Sequence, residues 1–233
     1  MTNPSWFINE VGHAGRENLD AAHVAAYDAK EDARAAEEVA LLRDLGLTAD
    51  STVVEFGPGT GQLTVEVAPA CARVAAVDVS APMLDRLRAK VAERGLENVE
   101  LVQAGLLSYD REPGSVDVVY SRLALHHIPD FWKVLALERL RRMLRPGGFV
   151  RLVDVVYDFE PAEAAERIEA WCARYEGAAA GQWTRADVEE HVRDEHSTFS
   201  WLMEPMIRRC GFEIAAAEHS DDGVFAAYVL RLD

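Results

Sequence analysis

Short, nearly unbroken apolar runs alternate along this chain with longer stretches whose apolar positions recur every three or four residues. The runs at Thr52–Phe56, 73–79, Val99–Gln103, 116–121 and 149–156 are rich in β-branched residues and lack the strict alternation of a half-exposed strand. They predict five strands of a parallel sheet covered on both faces by helices. Helices are predicted between them over 60–68, stopped by Pro69, and from Ser80 as N-cap to about Arg94, with Pro82 in the first turn and Gly95 beyond the end. A further helix, capped by Asp130, runs through Met143 to a turn at Pro146-Gly147-Gly148. Strand–helix alternation at this spacing specifies the fold class, a doubly wound, Rossmann-like α/β fold with a mostly parallel sheet.

The flanks keep a different rhythm. Residues 17–46, rich in Ala, Glu, Asp and Arg, predict one or two helices closed by Gly46. Residues 160–210 read as helices only: one over 163–175, one opened by a Thr184/Asp187 capping box and running through Glu195, and one over about 198–210 interrupted at Pro205. Residues 212–217 and 224–232, separated by the turn His219–Gly223, predict an antiparallel hairpin that completes the sheet. The expected organisation is an N-terminal helical cap (1–49), a Rossmann-like core (50–157), a helical lid or substrate insert (158–210) and a C-terminal β-hairpin (211–233).

Charge narrows the partners. The 233 residues carry 40 Asp plus Glu against 24 Lys plus Arg, a formal net charge of −16. Nucleic-acid backbones and anionic membrane surfaces would be repelled, so neither is expected as a partner. The 49% hydrophobic share excludes wholesale disorder. Cys71, Cys172 and Cys210 are scattered and odd in number, which argues for buried thiols rather than disulfides. With no signal-peptide pattern and no long apolar span, a cytoplasmic location is expected. The histidines and cysteines lack metal-ligand spacing, so no metal site is expected.

The chemistry concentrates where the first strand meets its helix, at Glu55-Phe56-Gly57-Pro58-Gly59-Thr60-Gly61. Glycines there let the backbone approach a ligand, and the helix start offers free N–H groups. The spacing is G-x-G-x-G, not the G-x-G-x-x-G of a dinucleotide fingerprint. Asp78, ending the second strand, is placed to accept hydrogen bonds from ribose hydroxyls. Glu55 would repel a phosphate and attract a cationic ligand.

These residues, with Asp78 followed by Ser80, Pro82 and Met83-Leu84, then Val118–Ser121 leading to Leu125-His126-His127-Ile128-Pro129-Asp130, then Leu144-Arg145-Pro146-Gly147-Gly148, resemble the class I S-adenosylmethionine-dependent methyltransferases. The resemblance covers roughly residues 50–156 and is nearest the small-molecule, quinone-biosynthesis-like branch. It implies a cofactor, S-adenosylmethionine, yielding S-adenosylhomocysteine, and a small-molecule acceptor. It implies that Gly57, Pro58, Gly59, Thr60 and Gly61 pack against the methionine part of the cofactor, with Glu55 near its amino group. Asp78 would hold the ribose, Val79 and Met83 would flank the adenine, and Ala104, Gly105 and Leu106 would touch its edge. Ser121 and Arg122 would line the methyl-transfer face, and Tyr27 would approach the methionine end. Many relatives carry an acid after the third strand that bonds the adenine amino group; here none occurs before Asp110.

For His126 and His127 two roles stand side by side: one of them as the general base, or loop histidines tied to backbone under the lid. Adjacent histidines are not expected both to face the site. Arg122 reads equally as a substrate clamp or a surface charge. Trp171, Tyr175, Trp183, Phe199, Trp201 and Met203 read as core, or as the wall of an apolar acceptor site. Position 121–124, Ser-Arg-Leu-Ala, lacks the Asn/Asp-Pro-Pro-aromatic signature of amino-directed nucleic-acid methyltransferases. A non-catalytic cofactor-binding or interaction protein stays open, as does a homodimer. An NAD-dependent oxidoreductase shares the fold, but the glycine spacing and final hairpin speak against it.

Overall fold

The computed structural model describes residues 4–30, 34–179 and 181–232. The apolar runs become strands: β1 (Thr52–Phe56), β2 (Arg73–Asp78), β3 (Val99–Gln103), β4 (Val116–Arg122) and β5 (Leu144–Tyr157). β1 pairs in parallel with β2 and β4, β3 joins β2, and β5 joins β4. Two later strands, β7 (Phe212–His219) and β8 (Phe225–Leu232), follow a short β6 (Thr198–Phe199). The sheet order is β3-β2-β1-β4-β5-β8-β7, with β8 antiparallel to both neighbours. The reversal after β1 is the switch point of a doubly wound sheet, where the strand ends part and leave a crevice.

Side-chain alternation assigns the two faces. Val54, Phe56, Ala75, Val77 and Val119 pack on one side with α6 (Asp130–Met143) and α9 (Ser200–Arg209), through Ala136, Leu137, Leu140, Met203 and Ile207. Val53, Val74 and Val118 pack on the other with α3 (Ala35–Leu45) and α4 (Gln62–Val67), through Val39, Leu42, Leu63 and Val67. On that side α5 (Ala81–Glu93) inserts Leu87 against Val65 and Ala76. All these side chains are buried, and this two-sided burial is why the strands read as continuous apolar runs.

Several expectations are corrected. Pro129, not Asp130, is the N-cap of α6; the Asp130 carboxylate instead accepts from Lys133 at 2.8 Å and from the Thr198 hydroxyl at 3.2 Å. Residues 160–210 are not purely helical. α7 (Ala164–Ala173) and α8 (Arg185–Asp194) are followed by β6, which pairs with the end of β5 at Val156 and Tyr157. That pairing satisfies backbone groups where β5 outruns its neighbours. Pro205 lies inside α9 without ending it. The N-terminal stretch forms α1 (Arg16–Leu19), α2 (Ala21–Lys30) and α3; residues 31–33, inside the predicted helical run, lie outside the described residues. The capping box at Thr184 and Asp187 is present. Among the described residues no helix is long and apolar enough to cross a membrane.

Candidate active site

The loop after β1 needs glycine. Gly57, Gly59 and Gly61 have φ of +67°, +56° and +85°, values that carry a Cβ penalty in other residues. At Gly57 a Cβ would stand 2.7 Å from that of Ala124, so the β1 and β4 ends meet there. The Gly59 N–H donates to Asp78 Oδ2 at 3.1 Å and the Ser80 N–H to Oδ1 at 2.8 Å. Asp78 thus clasps the glycine loop while still lining the crevice.

Two acids stand there without a basic partner among the contacts of the described residues. Burial holds the Asp78 carboxyl up to about 6, against the pull of the backbone N–H groups of Ser80, Gly59 and Val79. Burial also holds Glu55 up to about 7; the Thr64 hydroxyl that donates to it works the other way, and the nearby Asp78 charge adds to the rise. Desolvated carboxylates of this kind favour a ligand that brings its own positive charge and hydroxyl groups.

Gly57, Gly59, Asp78, Val79, Ala104, Gly105, Leu106, Arg122 and Tyr27 line one cleft. Glu55, Pro58 and Thr60 line an adjoining pocket under the loop, again with Gly57, Gly59, Tyr27 and Arg122. Three predicted residues line neither. Gly61 is the N-cap of α4, where a Cβ would collide with Leu87. Met83 is fully buried behind Gly59. Ser121 is 1% exposed, because alternation along β4 turns it away from Arg122.

The acid absent after β3 arrives from elsewhere. Glu10, in the turn Glu10–His13, accepts from the Leu107 N–H at 2.9 Å and from the Ser108 hydroxyl at 2.8 Å, and lines the same cleft. Its carboxyl lies against Gly105, where any side chain would displace it. Asp110 points elsewhere, to Arg142 at 2.6 Å. Nothing in the local sequence around Glu10 marks it for this position.

A second cavity opens between α7, α8 and the 3-10 turn Leu125–His127. Trp171, Tyr175, Trp183, Val188 and Phe225 form its apolar walls, so part of the aromatic set is both core and wall. Contrary to expectation, both His126 and His127 line it. The tight turn sets the two rings side by side, centroids 4.3 Å apart, and both approach Glu195, which lies 3.1 Å from His126 Nε2 and 3.9 Å from His127 Nδ1. Asp154, which also accepts the Leu125 N–H at 2.9 Å, binds His126 Nδ1. Burial opposes a charge on His126, but Asp154 and Glu195 outweigh it and hold the ring up to about 10. Burial, then the neighbouring His126 charge, pulls His127 down to about 3. Spacing along the chain shows no metal-ligand pattern, yet the fold gathers one ligand atom each from His126, His127 and Glu195 within 4.8 Å of one another. Asn18, Tyr27, Leu123 and His127 line both cavities, which therefore meet.

Residues 53–148 match the model of a methyltransferase domain. An uncharacterized methyltransferase of Geobacillus kaustophilus is 32% identical over 109 residues, 47% of this chain and 49% of that protein. The demethylmenaquinone methyltransferase of Lactococcus lactis is 28% identical over 123 residues, 52% of this chain and 48% of that protein. The chain thus spans about half the length of these two curated relatives. The crystal structure of a SAM-dependent methyltransferase from Aquifex aeolicus superposes with a TM-score of 0.64 at 16% identity, covering 92% of this chain and 100% of that one. The matched domain covers the β1 glycine loop and Asp78, and the chain shares the fold of a SAM-dependent methyltransferase, so it is similar to methyltransferases both in this segment and in its architecture.

Proposed function

We propose that this chain transfers the methyl group of S-adenosylmethionine to a small-molecule acceptor, by in-line displacement, with the acceptor held in the cavity under α7 and α8. The observation that carries the reading is the junction of the two cavities at Asn18, Tyr27, Leu123 and His127. A ligand in the cleft and a second one under the lid would touch there and nowhere else along their walls.

The cofactor supplies a sulfonium methyl on a good leaving group. The chain's own part is positioning, worth up to about 7 to 11 kcal/mol for a well-oriented pair, and water exclusion. Glu55 would receive the cofactor's ammonium and Asp78 its ribose hydroxyls. Trp171, Tyr175 and Trp183 would enclose a flat, largely apolar acceptor, and a lid built from residues 158–210 would select it. The corner of His126, His127 and Glu195 is where a proton leaving the acceptor would go. The small-molecule reading is supported by the aromatic walls of the cavity, Trp171, Tyr175, Trp183 and Phe225. The relative that acts on demethylmenaquinone is compatible with a flat acceptor of this kind.

The test is calorimetric titration with S-adenosylmethionine, S-adenosylhomocysteine and NADH, on the wild type and on Asp78→Ala. Binding of the two sulfur compounds alone, weakened by the substitution, is expected. A screen of phenols, quinols and amines for S-adenosylhomocysteine release then identifies the acceptor class. Equal binding of NADH, or no binding of either sulfur compound to folded protein, would overturn the reading.

A further inference from the structure

Three imidazoles converge on one carboxylate at the inner end of the acceptor cavity, and each is held from behind. His126 engages Asp154 through Nδ1 and turns Nε2 to Glu195 at 3.1 Å. His127 approaches the Asn18 side-chain amide through Nε2 at 3.5 Å and turns Nδ1 to Glu195 at 3.9 Å. His191 engages the Ser197 hydroxyl through Nε2 at 2.9 Å and turns Nδ1 to Glu195 Oε2. An outer partner on one ring nitrogen fixes the tautomer and aims the other lone pair inward, which is how metal-binding histidines are oriented. Near Glu195 the hydrogen bonding is incomplete: His127 Nδ1 has no partner, and Glu195 Oε2, despite its close nitrogens, makes no well-directed hydrogen bond. His126 Nε2 and a carboxylate oxygen 3.1 Å apart must be bridged, either by a proton on the ring or by a cation between them.

We propose that His126 Nε2, His127 Nδ1 and a carboxylate oxygen of Glu195 form a site for a divalent first-row transition metal ion, with zinc the best match. Two imidazoles and one carboxylate suit zinc and its neighbours and disfavour magnesium or calcium, which prefer oxygen ligands. Three protein ligands leave a coordination position open, as in catalytic rather than structural zinc sites. His191, four residues before Glu195 on α8, meets the same Oε2 that His126 faces and is a positioning residue for the carboxylate. The open position faces the cavity, since these side chains line it. Resting on the methyl-transfer reading, the acceptor class is then one with an oxygen donor, such as a phenol, whose proton the bound ion would make easier to lose to solvent, taking over the part of a base from the three ligands.

The experiment uses the whole chain, stripped with a chelator and titrated with Zn2+ against a chromophoric competitor, with circular dichroism as the fold control. One equivalent is expected to bind. Glu195→Gln and His127→Ala are each expected to weaken binding by at least about 100-fold, and Asp154→Asn by about 10- to 100-fold, as loss of an outer partner does. Glu189→Gln, on an exposed ion pair of the same helix, is expected to bind as the wild type does. No stoichiometric binding to folded wild type overturns the proposal and leaves a metal-free network with an imidazolium at His126. Binding that survives the Glu195 and His127 substitutions overturns it too. If the variants misfold, X-ray absorption of the zinc-loaded wild type decides: two imidazoles around zinc support the site, none refutes it. S-adenosylmethionine titration of the stripped protein is read separately, so its failure would retire the methyl-transfer reading without touching the metal site.

Discussion

Glu10 accepts a hydrogen bond from the backbone N–H of Leu107 at 2.9 Å, which fixes a carboxylate beside the bend after β3. The bend itself carries no acid, so the N-terminal segment supplies one to the cleft. Glu10→Ala should raise the KM for S-adenosylmethionine about tenfold or more, the typical worth of a hydrogen bond to a charged group. kcat at saturating cofactor should stay near the wild-type value. An unchanged KM would show that Glu10 only braces Leu107 and Ser108.

The buried Glu55 makes a pH prediction with a definite sign. Its carboxyl is raised from 4.5 to about 7 in the folded protein, so the native state binds the proton more tightly than the unfolded chain. The associated stability is full below about pH 4.5, falls as pH rises, and is gone above about pH 7. The decline is on the order of 3 kcal/mol, at 1.36 kcal/mol per unit. Glu55→Gln should remove it, so the variant should melt higher than the wild type at pH 8 and not at pH 4.5. Cofactor affinity should run the other way, rising as pH increases through about 7, because the ionised carboxylate attracts the ammonium. The variant should bind weakly at every pH. Melting curves and calorimetry at several pH values check both signs.

Gly61 and Leu87 should be coupled energetically. Gly61 has φ +85°, and a Cβ there would overlap the Leu87 side chain. Gly61→Ala should cost about 2 to 4 kcal/mol, combining a left-handed backbone penalty with overpacking. In a Leu87→Ala background only the backbone part should remain, about 1 to 2 kcal/mol. A double-mutant cycle from urea midpoints measures the difference; strict additivity would mean that the overlap relaxes freely.

Ser80 joins two parts of the cleft. Its hydroxyl oxygen accepts the Met83 N–H at 3.2 Å as the N-cap of α5, and its hydroxyl hydrogen goes to the Asn18 carbonyl at the end of α1. Ser80→Ala should cost about 1 kcal/mol as a lost cap. It should also loosen the segment that carries Glu10 and Asn18, visible as faster amide exchange or proteolysis there. Faster cleavage confined to other loops would sink that coupling.

The core strands, the glycine loop, Asp78 and the Ser80 cap were legible because each answers to a demand within a few residues. A strand buried on both faces must be apolar throughout. A turn with positive φ takes glycine, and a helix start takes an acceptor for its free N–H groups. Thr184 and Asp187 were legible for the same reason. Ser121 and Met83 line neither pocket, because alternation along β4 and packing behind Gly59 decide which side chains reach the cleft, and a motif names only positions.

By itself, then, the sequence determined the α/β class, the sheet's parallel core, the closing hairpin and the glycine loop after β1, all of which are local patterns repeated in order. Only the tertiary structure decided which distant side chains meet. Glu10 reaches Leu107 across 97 positions, Asp154 binds His126 across 28, and Glu195, at the end of α8, meets two adjacent histidines. Such meetings depend on loop closure and helix docking, which leave no periodic trace along the chain. The corner where they converge is buried polar chemistry, and its pairing exists only once the helices that bury it are in place.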